Sequence, residues 1–175
     1  MKKVLVISST PRKGGNSEKL AERFLEGARS AGHDAELVCL RDLKIGYCTG
    51  CYACAKTGKC ARGDDMAALA EKILAADVIA LATPVYFYTM SAQLKTMIDR
   101  LVPYYRRVRS DIYLFCTAAD TENLGLTLES MRGCTRDCLT DCTEKGALAV
   151  GGVFEVGEIA GRPELDTAFD MGRDC

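Results

Sequence analysis

Short apolar runs alternate along the chain with segments in which apolar residues recur at helical spacing. The first run, Lys3–Ser8, is rich in β-branched residues, which is typical of a strand buried on both faces. In Ser17–Ala31, Leu20, Phe24 and Ala28 fall on one side of a predicted helix. Further strands are predicted at Ala35–Leu40, Val78–Ala82, Ile112–Cys116 and Ala147–Val150, and further helices at about 66–76, 90–102 and 122–143 and after Pro163. This alternation predicts an α/β fold with a five-stranded parallel sheet covered by helices on both faces.

The composition is that of a globular chain able to bury a core. Of the 175 residues, 48% are hydrophobic and 27% are charged, and the formal net charge is −1. This length predicts a single domain over 1–175, and the charge argues against nucleic acid or a membrane surface as the main partner. The apolar run VLVI is too short for a signal peptide, and no apolar stretch approaches the length of a membrane span. We therefore expect a cytoplasmic protein.

A polar turn with two glycines, STPRKGGNS, joins the first predicted strand to the first helix. Such a turn directs backbone N–H groups and the positive end of a helix dipole at one place. Neither the Walker sequence G-x-x-x-x-G-K-[ST] nor the dinucleotide sequence G-x-G-x-x-G is present. The side chains that predict a phosphate site here are those of Ser9, Thr10, Arg12, Asn16 and Ser17. The alternative is an ordinary solvated strand–helix turn.

Three consecutive aromatic residues follow the third predicted strand. In a sheet of order 2-1-3-4-5 the first and third strands are neighbours, so this segment and the phosphate turn flank one switch point, where ligands bind. A planar ring with a phosphate tail, such as FMN, suits this pairing. The predicted ring contacts are Pro84, Val85, Tyr86, Phe87 and Tyr88, with a third wall at Thr117, Ala118, Ala119 and Asp120. The alternative is that the aromatic residues only cap the core.

Four of the ten cysteines crowd into one segment without periodicity. Cys48, Cys51, Cys54 and Cys60 have the spacing C-x2-C-x2-C-x5-C, and four thiolates in such a segment can hold a [4Fe–4S] cluster. Zinc ranks second, because zinc sites more often use two separated C-x2-C pairs. A thioredoxin-like C-x-x-C pair would not need four cysteines, and thiols without a role are the remaining alternative.

The other cysteines are interpreted as structural. Cys134, Cys138 and Cys142 are four residues apart, which predicts one face of a helix on which they act as small buried hydrophobes. Cys39 and Cys116 fall within predicted strands and are expected in the core.

Arginines recur in a short run that also contains Tyr104 and Tyr105. The run is predicted to be a solvated edge, with binding of an NADPH phosphate or a partner carboxylate as the alternative; its members are Arg100, Arg106, Arg107 and Arg109. His33 is the single histidine, which disfavours hydrolysis by a Ser-His-Asp triad.

Three segments of the chain, in this order, resemble the flavodoxin-like NADPH-dependent FMN reductases: STPRKGGNS, CTGCYACAKTGKC and TPVYFYTMSAQLKTMIDR. The cysteine spacing is similar to that of the iron–sulfur flavoproteins within that group. The resemblance implies a flavodoxin-like three-layer sandwich whose sheet has the order 2-1-3-4-5. It also implies a homo-oligomer, a dimer or a tetramer, with the flavin near the interface.

The resemblance further implies an NAD(P)H oxidoreductase that passes electrons through FMN to a small-molecule or protein acceptor. The alternative is an electron-transfer protein that carries FMN and a [4Fe–4S] cluster and is fed by a ferredoxin-like donor. A flavin-binding sensor without turnover is a third possibility, from another class. No side chain is expected to be catalytic, because the cofactor carries the chemistry.

Overall fold

Parallel strands form the central sheet of the computed structural model, which describes residues 1–175. The strands are β1 Lys3–Ser8, β2 Asp34–Cys39, β3 Val78–Tyr86, β4 Thr89–Met90, β5 Asp111–Thr117 and β6 Thr143–Val150. Five of them pair in parallel in the order β2-β1-β3-β5-β6, and the short β4 pairs antiparallel with the end of β3. Counted along the chain, the five parallel strands therefore have the predicted order 2-1-3-4-5, which is confirmed.

Helices cover both faces of this sheet. They are α1 Asn16–Ser30, α2 Ala53–Thr57, α3 Met66–Ala75, α4 Ala92–Asp99, α5 Leu124–Thr135 and α6 Glu164–Arg173. None of them is long and apolar enough to cross a membrane. Two apolar cores result, one beneath α1 and α6 and the other beneath α3, α4 and α5.

Strand β1 shows why the sheet is covered on both sides. Val4 and Val6 point into the core beneath α1 and α6, while Leu5 and Ile7 point into the other core. All four side chains are at most 2% exposed. A strand with apolar residues on both faces gains from burial only when helices pack on each face, so the continuous apolar run specifies the three-layer arrangement.

The predicted helix over 122–143 is wrong in its second half. Helix α5 ends at Thr135, and the chain then forms turns in which the N–H groups of Cys138 and Leu139 both bond to the carbonyl of Cys134. Leu139 is buried and anchors these turns in the core, so the chain can enter β6 at Thr143 rather than at the predicted Ala147. A buried contact made from a turn has outweighed the helical spacing of the apolar residues.

The shorter helix also corrects the interpretation of three cysteines. Cys134 lies on α5 and packs against the core, whereas Cys138 is exposed and Cys142 lies just before β6. They therefore do not share one helix face. Cys116 is fully buried, as predicted, but Cys39 is only partly buried.

Candidate functional site

The predicted site segments begin on neighbouring strands, at the carboxyl edge of the sheet. Ser8 of β1 pairs with Ala82 of β3, and Pro84 of β3 pairs with Thr117 of β5. The turn after β1, the end of β3 and the residues after β5 therefore leave the sheet side by side. Such an edge is where open α/β sheets bind ligands.

The turn after β1 is folded tightly and leaves the start of α1 open. Gly15 occupies the N-cap position, and no side chain caps the helix. A Cβ on Gly15 would lie 2.8 Å from Thr10 Oγ1 and 3.1 Å from the carbonyl oxygen of Arg12, so the turn has room only for glycine. An uncapped helix start with backbone this close is suited to an anion.

Two side chains of this turn have polar groups available to a ligand. Ser17 is 1% exposed, and its Oγ has no hydrogen-bond partner in the protein. A buried hydroxyl left unpaired costs about 1–3 kcal/mol, which a phosphate oxygen at the helix start would offset. Arg12 is exposed, and its guanidinium lies 5.9 Å from the ring centre of Phe154. These residues fit a phosphate group.

Ser9 and Asn16, by contrast, are engaged with the protein itself. Ser9 Oγ donates to the carbonyl of Ala82 at 3.0 Å and lies 2.9 Å from the Oγ of Ser91. The Asn16 amide donates to the carbonyl of Glu155 at 2.9 Å, and its oxygen accepts the N–H of Gly157 at 3.2 Å. Both side chains therefore shape the edge of the sheet.

Asn16 thereby holds a fourth segment at the edge, residues 151–158 after β6. Phe154 and Val156 of this segment are 61% and 51% exposed. The sequence analysis treated Gly151 and Gly152 only as the end of a strand. Exposed apolar residues directly after a glycine pair were the signal that could have identified the segment.

Glu18 is a further residue that the sequence analysis missed. Its carboxylate accepts the N–H of Gly14 at 2.8 Å and two N–H groups of Arg41, each at 2.8 Å. Burial acts to raise the pKa of Glu18, but the bonds from Arg41 and Gly14 outweigh it and lower the pKa. Glu18 therefore fixes the turn from below, as a carboxylate.

The end of β3 is a hairpin rather than the predicted loop. β3 continues through Tyr86, and a two-residue turn at Phe87 and Tyr88 leads into β4. Both turn residues have positive φ, 49° and 60°. Bulky residues rarely adopt this conformation, and such turns usually contain Asn-Gly or similar pairs. Strain of this kind is concentrated at functional sites.

The hairpin presents its aromatic side chains to solvent. Phe87 is fully exposed, whereas Tyr86 and Tyr88 are 38% and 49% exposed. Pro84 is buried and Val85 is half-buried, so these two form the floor from which the hairpin rises. Exposed aromatic rings beside an anion site fit a planar ligand.

A hydrogen bond joins the hairpin to the third predicted wall. Tyr88 Oη donates to Asp120 Oδ2 at 3.2 Å. The N–H of Glu122 and the hydroxyl of Tyr88 both act to lower the pKa of Asp120. Thr117 and Ala118 are buried, while Ala119 and Asp120 are exposed beside the hairpin.

The four clustered cysteines lie around one small cavity of about 40 Å³. Gly50, Tyr52 and Gly58 have positive φ, which coils the segment tightly. Cys48 Sγ accepts the N–H of Gly50 at 3.5 Å, and the N–H of Ala53 lowers the pKa of Cys51. No three of the chain's His, Cys, Asp and Glu side chains are arranged to hold a single metal ion. Thiols around a cavity, rather than around a point, fit a multinuclear cluster better than zinc.

Arg100 is not part of a solvated edge, as its place in the arginine run predicted. It is 2% exposed, while Arg106, Arg107 and Arg109 are exposed as expected. Its guanidinium forms two bonds with Asp64, at 2.7 and 2.9 Å, and lowers the pKa of that carboxyl to about 2. Arg100 also lines the cysteine cavity.

Comparison with known proteins agrees with this architecture. The model of the NADPH-dependent FMN reductase family matches residues 2–129, and the chain belongs to this family. It is 41% identical over 105 residues to an iron-sulfur flavoprotein of Archaeoglobus fulgidus, a match covering 60% of this chain and 48% of that protein. An iron-sulfur flavoprotein of Methanosarcina thermophila is 40% identical over 100 residues, covering 57% of this chain and 52% of that protein.

The matched regions span about half the length of these curated relatives. Among solved structures, the NAD(P)H:quinone oxidoreductase from Methanothermobacter marburgensis superposes with a TM-score of 0.75. That match covers 99% of this chain and 96% of the other, at 24% identity. At this level of identity the likeness concerns the fold, and it confirms the flavodoxin-like sandwich.

Proposed function

We propose that this member of the NADPH-dependent FMN reductase family is an oxidoreductase that binds FMN at the carboxyl edge of its sheet and receives electrons from NAD(P)H. The observation that carries the proposal is the meeting of an uncapped helix start, an aromatic hairpin and the segment after β5 at one edge. Bound FMN would accept a hydride and release electrons in pairs or singly.

The phosphate half of the proposed site is the turn after β1. Ser17 Oγ and the N–H groups at the start of α1 would bind the phosphate, and Arg12 would add positive charge from the rim. Thr10 would contribute through its position in the turn, because its Oγ already contacts the backbone of Arg12. Ser9 and Asn16 would act by holding the surrounding segments in place.

The ring half of the proposed site is formed by the hairpin and the segment after β5. Tyr86, Phe87 and Tyr88 would lie against the ring, with Pro84 and Val85 beneath. Backbone groups of Thr117, Ala118 and Ala119 would line the opposite side, and the bond between Tyr88 and Asp120 would fix the distance between the two walls. No side chain here is placed to act as a nucleophile or a general base.

A second function is favoured by the cysteine cavity. Cys48, Cys51, Cys54 and Cys60 line one space, which is the arrangement a [4Fe–4S] cluster requires. With such a cluster the protein would be an electron-transfer iron–sulfur flavoprotein, with a ferredoxin-like protein as electron donor. The two relatives named as iron-sulfur flavoproteins support this function.

The setting proposed for this activity follows from the same features. All ten cysteines are free thiols, which suits a reducing cytoplasm. Exposed aromatic side chains at the hairpin suit burial against a second copy, so we propose a dimer or tetramer of single-domain chains. The electron acceptor would be a small molecule or a protein that reaches the exposed ring.

Anaerobic purification followed by absorbance spectroscopy and iron and sulfide analysis tests both functions. Flavin bands that bleach on addition of NADPH or NADH are expected for the first function. Iron and sulfide in the same preparation, with bleaching by reduced ferredoxin, are expected for the second. Protein that neither contains nor takes up FMN would contradict both, and flavin that no donor reduces would indicate a sensor.

A further inference from the structure

Arg100 is buried at a place where a guanidinium is costly unless it is fully paired. It follows the last residue of α4 and is 2% exposed. An isolated buried cation would destabilise the fold by several kcal/mol, so its partners define what it does.

The partners of Arg100 lie at the two ends of the cysteine segment. Nη1 donates to the carbonyl of Gly46 at 2.6 Å and to Asp64 at 2.7 Å, and Nη2 donates to Asp64 at 2.9 Å. Asp64 in turn accepts the N–H of Gly46 at 3.0 Å. Gly46 precedes Cys48, and Asp64 follows Cys60. One guanidinium thus fastens both ends of the loop that carries the four thiols, and removes the entropy of opening that loop.

The third nitrogen of the guanidinium has no partner in the protein. Arg100 Nε is buried without a hydrogen bond, while the same residue lines the cavity around which the four cysteines lie. Arg62 is the other arginine on this cavity. A buried N–H donor and two positive charges beside four thiols suit a ligand that is negatively charged and accepts hydrogen bonds through sulfur.

We propose that Arg100 is the positioning residue of the cysteine segment, which closes the loop through Gly46 and Asp64 and offers its Nε–H and its charge to a thiolate-bound iron–sulfur cluster. The proposal rests on the iron–sulfur function described above. It separates two roles, a structural role in closing the loop and an electrostatic role toward the bound cluster. Hydrogen bonds and positive charge near cluster sulfurs favour the reduced state, so the second role predicts an effect on the reduction potential.

The test compares Arg100→Gln and Arg100→Lys with the matched control Arg106→Lys, which changes an exposed arginine of the same run. In the cluster-free protein, hydrogen exchange of the amides in 46–64 is expected to accelerate about tenfold or more in both Arg100 variants, while exchange in β3 is unchanged. Should the Arg100 variants not fold, Asp64→Asn breaks the same charge pair and is read by the same exchange measurement.

The second readout is the potential of the reconstituted cluster, from a redox titration followed by electron paramagnetic resonance. Arg100→Gln is expected to lower this potential, and Arg100→Lys to lower it less because the charge is kept. Exchange rates and potentials equal to those of Arg106→Lys would overturn the proposal. If the wild-type protein binds no iron, the ligand role is refuted together with the iron–sulfur function, whereas accelerated exchange still supports the closing of the loop.

Discussion

Glu18 and Arg41 form a two-pronged ion pair directly beneath the turn after β1. Each carboxylate oxygen lies 2.8 Å from a guanidinium nitrogen, and one of these oxygens also accepts the N–H of Gly14 at 2.8 Å. The first turn of α1 is thereby tied to the residues after β2. The geometry of the proposed phosphate site therefore depends on a carboxylate that itself need not touch the ligand.

Replacement of Glu18 tests this dependence. Glu18→Gln leaves Arg41 half-buried without its counter-charge, and we expect the free energy of unfolding to fall by roughly 2–4 kcal/mol. Urea denaturation measures the change. Glu22→Gln is the matched control, because its partner Lys19 lies on the surface of the same helix, and it should cost less than about 1 kcal/mol. Equal effects of the two substitutions would show that the Glu18 pair does not hold the turn.

Ser17→Ala separates the needs of a ligand from the needs of the fold. Because Ser17 Oγ has no partner, its removal should leave the FMN-free protein as stable as the wild type or slightly more stable. The affinity for FMN should fall about tenfold, the value of one hydrogen bond to a charged group. Denaturation of the FMN-free protein and titration with FMN measure the two quantities. Unchanged FMN affinity would remove Ser17 from the site.

Gly15→Ala should disturb the turn itself. The added Cβ would approach Thr10 Oγ1 to 2.8 Å, so the turn must shift, and we expect a loss of about 1–2 kcal/mol together with weaker FMN binding. Gly133→Ala is the control, since a Cβ on this α5 residue meets nothing within 4 Å. It should stabilise the protein by about 0.5–1 kcal/mol through helix propensity. Thermal unfolding and FMN titration of both variants provide the comparison.

The bond between Asp64 and Arg100 predicts a component of acid lability. The carboxyl has a pKa of about 2 in the folded protein, against 3.8 for an ordinary aspartate. Its contribution, about 2 kcal/mol, is therefore complete above the unfolded pKa and is lost as the pH falls through the folded pKa. Urea unfolding of wild type and Asp64→Asn between pH 6 and pH 3, a range of about three units around these values, measures it. The stabilities of the two should converge as the pH falls, and a constant difference would contradict the assignment.

The fold could be predicted from the sequence because its strands carry their burial in their composition. β1 and β3 are continuous apolar runs, and such runs need helices on both faces. The turn after β1 could be placed for the same reason, since it follows the first of these strands. The end of α5 could not be predicted, because the burial of Leu139 in a turn depends on contacts made elsewhere in the chain.

The side-chain partners at the site were not accessible from the sequence. Arg100 stands in a run of arginines, and nothing local distinguishes it from its exposed neighbours; its burial depends on Asp64, which lies 36 positions earlier. The partners of Asn16 lie about 140 positions away, in the segment after β6. Spacing identifies which residues share a loop, but these long-range bonds decide which polar groups are left for a ligand.

The central claim, that the start of α1 binds the phosphate of FMN, is tested most directly by titrating the flavin-free protein with FMN and with riboflavin and following flavin fluorescence. The two ligands share the ring and differ only in the phosphate. We predict that FMN binds at least about a hundredfold more tightly than riboflavin, because several charge-assisted hydrogen bonds depend on the phosphate. We also predict that Ser17→Ala narrows this difference. Equal affinities for the two flavins, or no binding of either, would contradict the account.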